Sequence, residues 1–425
     1  MSSQVLDKLC EMNRQQSIGG IYSVCSAHPL VLEASFLKAI EHGTPLLVEA
    51  TCNQVNQDGG YTGKTPQRFR DDVLAIANTM NFPTERLILG GDHLGPTPWL
   101  KLPAEEAMQK AEAMVAAYAA AGFEKLHLDA SMPCADDPEV LNDAIVAERA
   151  VRLCRAAEVA AAEAGGAETL RYIIGTEVPV PGGAHEEIDE LAVTGVEDLN
   201  TTIEMHRQCF MDADLNAAWK RVIAVVVQPG VEFGNTEVID FIPEKAVDLS
   251  QAVLDHPRLV FEAHSTDYQT PIAYQQLVKD HFAILKVGPA LTFAMREALY
   301  ALENIVREAP ELKTVELRAT LEKVMQDDPK YWKSYYSGSD AQQLLERHYG
   351  LSDRIRYYWS QPEVIEQLES LLTSFKEATP PLTLVSQYMP KQYAAIREGE
   401  LSLEPRAMVQ HYVGGVIEDY SKACF

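Results

Sequence analysis

The chain has 425 residues, 47% hydrophobic and 23% charged, an ordinary globular composition with ample material for a core. Lys and Arg number 36 against 62 Asp and Glu, and the formal charge of −26 argues against a general nucleic-acid or anionic-membrane role, since both demand a basic face. Seven scattered cysteines without a Cys-x-x-Cys pair, no apolar signal region and no run of about 18 apolar residues point to reduced thiols in a cytoplasmic protein.

In chain order, the first 18 residues read as a short helix. Eight short apolar runs follow, each stopped by polar residues. Ile-Tyr-Ser-Val from 21 stops at Cys25-Ser-Ala-His28, Pro-Leu-Leu-Val from 45 at Glu49, and Leu-Ile-Leu from 87 at Gly90-Gly-Asp92-His93. Lys-Leu-His-Leu from 125 stops at Asp129, Tyr-Ile-Ile from 172 at Gly-Thr-Glu177, and Val-Ile-Ala-Val-Val-Val from 222 at Gln228. Leu-Val-Phe from 259 stops at Glu262-Ala-His264, and Phe-Ala-Ile-Leu from 282 at Lys286-Val-Gly288. Between them, 30–42, 66–80, 104–121, 145–164 and 199–219 carry helical apolar spacing. Strands buried on both faces and alternating with helices predict a parallel sheet, and eight units predict a closed (β/α)8 TIM barrel over residues 1–309. Residues 310–425 read as a helical extension packed on the barrel or on a partner, with an aromatic and basic tract at Arg354–Trp359.

Polar residues at the carboxyl ends of barrel strands are the expected place for chemistry. Asp92 and His93 are adjacent, so on an extended strand they point apart, unless the strand ends there and the flanking glycines let the loop turn both toward the mouth. In that case His93 binds a divalent metal, Zn2+ or similar, and Asp92 moves a proton; otherwise Asp92 caps the loop and His93 is a core residue. Glu177 and His264 are candidate partners of His93, because two histidines and a carboxylate are a usual catalytic metal set. Gln228 offers a neutral ligand or a hydrogen bond to substrate. Glu49, Asp129, Glu262 and Lys286 share the face, where Lys286 reads either as a paired interior ammonium or as a Schiff-base nucleophile. The glycine-rich stretches 57–63 and 178–186 look like loops over the mouth and match no nucleotide fingerprint. Ser265, Thr266 and Gly288 lie at late strand ends, where barrels often seat a phosphate.

Several stretches carry a more specific resemblance: Val24-Cys-Ser-Ala-His-Pro-Leu-Val31, Asn53-Gln-Val-Asn56, Gly90-Gly-Asp-His-Leu-Gly-Pro96, Val226-Val-Gln-Pro-Gly-Val-Glu-Phe233, Glu262-Ala-His-Ser-Thr-Asp-Tyr-Gln-Thr270 and Ser352-Asp-Arg-Ile-Arg-Tyr-Tyr-Trp359. They resemble the Z subunit of D-tagatose-1,6-bisphosphate aldolase, the GatZ/KbaZ family. The resemblance implies a non-catalytic partner of the zinc-dependent class II Y subunit, required for that subunit's full activity and stability, in galactitol, N-acetylgalactosamine or tagatose breakdown through tagatose 6-phosphate. An oligomer is expected. Proteins of this family have carried the label tagatose-6-phosphate kinase, but the sequence holds neither a Walker loop nor a kinase glycine loop. Asp92-His93 and His264 are similar to the Asp-His pair and a later histidine ligand of class II aldolases, whereas Gln228 stands where those enzymes offer another histidine. Some relatives are 4-epimerases of fructose 6-phosphate or related ketoses, which gives a second implied role on a phosphorylated ketose. Within the resembling stretches, Asn56 and Asp267 are expected to contact substrate.

Overall fold

Each apolar run forms a strand: β1 Ile21–Val24, β2 Leu46–Thr51, β3 Leu87–Leu94, β4 Lys125–Leu128, β5 Arg171–Gly175, β6 Val222–Val226, β7 Val260–Ala263 and β8 Phe282–Val287. The strands pair in parallel in the order β1-β8-β7-β6-β5-β4-β3-β2, and β2 returns to β1 to close a (β/α)8 barrel. The computed structural model describes residues 3–16, 18–175, 191–376 and 378–425.

Helices alternate with the strands, largely where the apolar spacing places them: Pro29–His42, Pro66–Thr79, Ala104–Ala120 and Asp143–Glu163. Their starts follow local chemistry. Thr65 accepts from the amide of Arg68 with Pro66 at the first helical position, and Asn142 accepts from the amide of Ile145. The span 199–219 departs from the single helix its pattern predicts. One helix, Val196–Asp212, ends before Asp214 takes a left-handed φ of 61°, and a short turn, Asn216–Trp219, follows.

Side chains alternate across each strand, so every second residue faces the barrel axis. At the amino end, Ile21, Leu47, Ile88, Ile173, Val260 and Ile284 form one apolar cluster, joined by Leu6 and Cys10 of the helix Ser3–Gln16. Two residues further along, the inward positions become Glu49 on β2, Glu262 on β7 and Lys286 on β8. With Lys125 at the start of β4 they make a buried charged layer. Two further still, Asp92, His127 and His264 are reached on β3, on β4 and just past β7. The interior is thus filled in layers, as such barrels require, with an apolar floor, an ionic middle and a histidine-rich top.

After the helix Pro289–Glu308, the chain runs through further helices and ends in Pro405–Cys424. This last helix packs on Pro29–His42, Pro271–Lys279 and Pro289–Glu308. Its Tyr420 hydroxyl donates to the Thr266 carbonyl at 2.9 Å, and the carbonyl of Cys424 accepts from Gly20 at 2.9 Å, which ties the end of the chain to the start of β1.

Candidate active site

The geometry of β3 decides where Asp92 and His93 point. Gly91 pairs with Leu126 and Leu94 with Leu128, so Asp92 and His93 together oppose the single residue His127. That extra residue is a β-bulge, and His93 adopts φ 48° within it. The sequence offered a strand end and a glycine turn; instead the strand continues to Leu94, and the bulge turns both side chains inward. The glycines supply space instead of turning. A methyl group at Gly90 would lie 2.7 Å from Glu49 Cγ, and one at Gly95 would lie 1.5 Å from the Asp129 carbonyl oxygen.

Asp92, His93, His127 and His264, all buried, each bring a potential ligand atom within 4.8 Å of the others. His93 and His127 are oriented from behind, by the nitrogen opposite the one that faces Asp92, whereas His264 turns one nitrogen, Nε2, toward both Glu262 and Asp92. His93 Nδ1 lies 2.7 Å from Asp129 Oδ2, His127 Nε2 lies 3.0 Å from the Gly175 carbonyl, and His264 Nε2 lies 2.9 Å from Glu262 Oε1. A carbonyl can only accept, so His127 Nε2 carries the proton. Its Nδ1 accepts from the His93 amide at 3.2 Å and faces Asp92 Oδ1 at 3.2 Å. A ring nitrogen facing a carboxylate, with the opposite nitrogen bonded to a carbonyl or carboxylate, is how histidine metal ligands are held. The donor set therefore fits a divalent ion of the zinc type: three imidazoles from three strand ends, with the Asp92 carboxylate beside them.

Beneath this cluster lies the ionic layer. Lys125 Nζ is 2.5 Å from Glu49 Oε1 and 2.6 Å from Glu262 Oε2, and all three side chains are fully buried. Lys286 Nζ bonds Glu49 and lies 3.0 Å from Asp92 Oδ1. Burial pulls the Lys286 ammonium down, but Asp92, Cys25, Glu49 and Glu262 raise it well above its ordinary range. Lys125 is likewise raised once Glu262 and Glu49 outweigh its burial. Burial favours a neutral Asp92, yet His93 and Lys286 hold it well below the usual carboxylate range. Burial takes His264 down to about 4, whereas Asp92 and Asp129 raise His93 against the same burial. Lys286 thus lies among carboxylates, the paired arrangement of the two that the sequence left open.

The other expected site residues separate. Glu177 and the glycine-rich stretch 178–186 lie outside the described residues. Asn56 lies off the cluster, because its Oδ1 accepts from Asp58 and Gly60 and its Nδ2 donates to the Cys52 carbonyl, which shapes the loop after β2. Gln228 spends its Oε1 on the amides of Gly230 and Val231, so the expected oxygen ligand is already engaged, while its buried Nε2 has no hydrogen-bond partner among the described residues. The phosphate seat expected at Gly288 is filled by the chain itself. Asp267 Oδ1 accepts from the amides of Gly288 at 3.0 Å and Ala290 at 2.8 Å, at the start of the helix Pro289–Glu308. Ser265, at φ 51°, bonds Glu232.

A family profile described as D-tagatose-1,6-bisphosphate aldolase subunit GatZ/KbaZ-like matches residues 6–425. The chain belongs to the GatZ/KbaZ-like family. Among solved structures, this GatZ/KbaZ-like chain is similar to a crystal structure described as a probable tagatose 6 phosphate kinase from Sinorhizobium meliloti 1021, at 49% identity and a TM-score of 0.87 over 95% of this chain and 100% of the other. The YdjI aldolase of Escherichia coli K12 matches at 11% identity and a TM-score of 0.43, over 88% of this chain and 98% of that one. The fructose-bisphosphate aldolase of Campylobacter jejuni matches at 13% and 0.44, over 89% and 94%. Membership of the family relates its function to tagatose-bisphosphate aldolase, and among the described residues of the GatZ/KbaZ-like chain no helix is long and apolar enough to cross a membrane.

Two residues of this GatZ/KbaZ-like site escaped the sequence reading, His127 and Lys125. Both sit in Lys-Leu-His-Leu, taken only as an apolar run. The missed signal was period two: a cation and an imidazole at alternate positions of a buried strand must share one face, and only the barrel interior offers them partners.

Proposed function

We propose that the chain is a metal-dependent enzyme acting at C4 of a phosphorylated ketose, interconverting 6-phosphates that differ in configuration at that carbon. The observation that carries this reading is the convergence of Asp92, His93, His127 and His264, with Asp129 and the Gly175 carbonyl behind two of the rings and Glu262 bonded to the third. The substrate class draws on the similar proteins, whose descriptions name tagatose 1,6-bisphosphate and tagatose 6-phosphate.

His93, His127 and His264 would hold a divalent cation, which polarises a ketose carbonyl when bound. Asp92, kept ionised by its cationic neighbours, takes the proton of the C4 hydroxyl as the C3–C4 bond breaks and its electron pair passes toward the C2 carbonyl. The phosphorylated aldehyde turns its other face, the bond re-forms, and Asp92 returns the proton, so no atom is gained or lost. Lys286 and Lys125 balance the buried carboxylates throughout.

A second reading, a non-catalytic subunit that stabilises a class II aldolase Y subunit, draws on the word subunit in the family description. One experiment separates them. The chain purified alone is assayed for bound zinc or manganese and for conversion of fructose 6-phosphate to tagatose 6-phosphate, with and without chelator. Turnover that disappears with chelator and in Asp92→Asn supports the enzyme. A metal-free, inactive chain that protects an added Y subunit from heat inactivation overturns it in favour of the second reading.

A further inference from the structure

A cavity of about 400 Å³ opens beside the β1 and β8 strand ends, bounded by Cys25, Gln54, Gly288, Thr292 and Arg356. Its size falls within the roughly 300–1,000 Å³ typical of small-ligand pockets. It adjoins the buried cluster, because Cys25 Sγ lies 4.0 Å from Asp92 Oδ2. Arg356 comes from the turn Arg354–Tyr358, in the aromatic and basic tract beyond the barrel. This turn is pinned from several sides: Asp353 ahead of it takes φ 47°, Arg354 Nε donates to the Tyr331 carbonyl, and the Tyr358 hydroxyl donates to the Asp328 carbonyl.

The cations on this cavity differ in one respect. Lys64 is paired with Asp72 at 3.0 Å, and Arg406 with Glu33 at 2.6 Å, with Glu369 on the same wall. Arg356 donates to the carbonyls of Ser352 and Asp353 and, at 3.0 Å, to the Tyr357 hydroxyl, and it makes no ion pair with any carboxylate among the described residues. Its positioning uses neutral acceptors, and a guanidinium carries five N–H donors, so charge and donors remain for a ligand. Meanwhile the backbone amides at Gly288 and Ala290, where a barrel usually seats phosphate, are closed by Asp267.

We propose that Arg356 is the phosphate anchor of this site: it binds the phosphate ester of the ketose in the cavity by a forked, charge-assisted contact, and the sugar reaches past Cys25 toward Asp92. This rests on the ketose-phosphate reading and adds its specificity residue. It also gives the segment beyond the barrel a direct part in the site.

The probes are inorganic phosphate, fructose 6-phosphate and fructose, titrated calorimetrically into the full chain. Arg356→Gln weakens phosphate and fructose 6-phosphate about 10- to 100-fold, the worth of one hydrogen bond to a charged group, and leaves fructose unchanged; Arg356→Lys loses less. Should Arg356→Gln fold poorly, the wild-type chain answers by itself, since phosphate then protects Arg356 from phenylglyoxal in a peptide-mapped footprint while fructose does not. Unchanged phosphate affinity in folded Arg356→Gln, no phosphate binding by the wild type, or equal modification of Arg356 with and without phosphate overturns the assignment. Phosphate held by Arg356 without turnover supports the anchor and sinks the functional reading; turnover with Arg356 indifferent to phosphate sinks the anchor alone.

Discussion

Replacing Lys125 by Met leaves the shape of the barrel interior nearly intact and removes one buried positive charge. Three carboxylates, Glu49, Glu262 and Asp92, share two ammonium groups, Lys125 and Lys286, and the substitution leaves Lys286 to serve all three. At an effective dielectric constant near 20, a unit-charge pair at the 2.5 Å of Lys125 and Glu49 attracts by about 6–7 kcal/mol. Much of that is offset, because Met has no ammonium to desolvate. The remainder is the cost of a buried charge left short of its partner, about 3–5 kcal/mol. With an unfolding entropy of about 2.1 cal/mol/K per residue over 425 residues, Tm falls by about 3–6 °C. Urea unfolding followed by circular dichroism measures the free energy, and a thermal scan measures Tm. Adding Glu49→Gln restores the charge balance and should recover at least half of the loss. A Lys125→Met chain within about 0.5 kcal/mol of wild type, the usual range for an inconsequential surface change, would refute the argument that these charges are desolvated and mutually dependent.

Asp129→Ala removes the acceptor 2.7 Å from His93 Nδ1, and competition with a chromophoric chelator should show metal affinity reduced about 10- to 100-fold. Asp353 is buried, which raises its carboxyl to about 7, so its folded value exceeds its unfolded one. The stability this contributes is present at low pH and lost as pH rises through about 7. Asp353→Asn, which cannot ionise, should therefore lose less stability than wild type between pH 6 and pH 8, as measured by parallel urea titrations.

The barrel was readable because burial on both faces leaves a strand no choice but a run of apolar residues, and eight such runs separated by helical spacing close in only one way. The strand-end rule also found Asp92, His93, Asp129 and His264, which the structure brings together. The bulge was not readable, since an extra residue on β3 exists only in relation to the register of β4. Reading the flanking glycines as hinges erred for the same reason: their small size matters because Glu49 and Asp129 press against them from other strands. Asp267 is expected among the substrate contacts from the resembling stretches alone, and no local pattern announces that its Oδ1 accepts from two backbone amides more than twenty residues away. Arg356 stood out in the sequence only as part of a basic, aromatic tract. That it makes no ion pair among the described residues is a property of the folded molecule.

The most direct test of the account is metal analysis by plasma mass spectrometry on wild type and His127→Ala, purified alone and dialysed against trace zinc. Side chains gathered from β3, β4 and the end of β7 predict a near-stoichiometric divalent ion in the wild type and a large loss in His127→Ala. A metal-free wild type, or full occupancy without His127, would contradict the claim that these strand ends make one metal site.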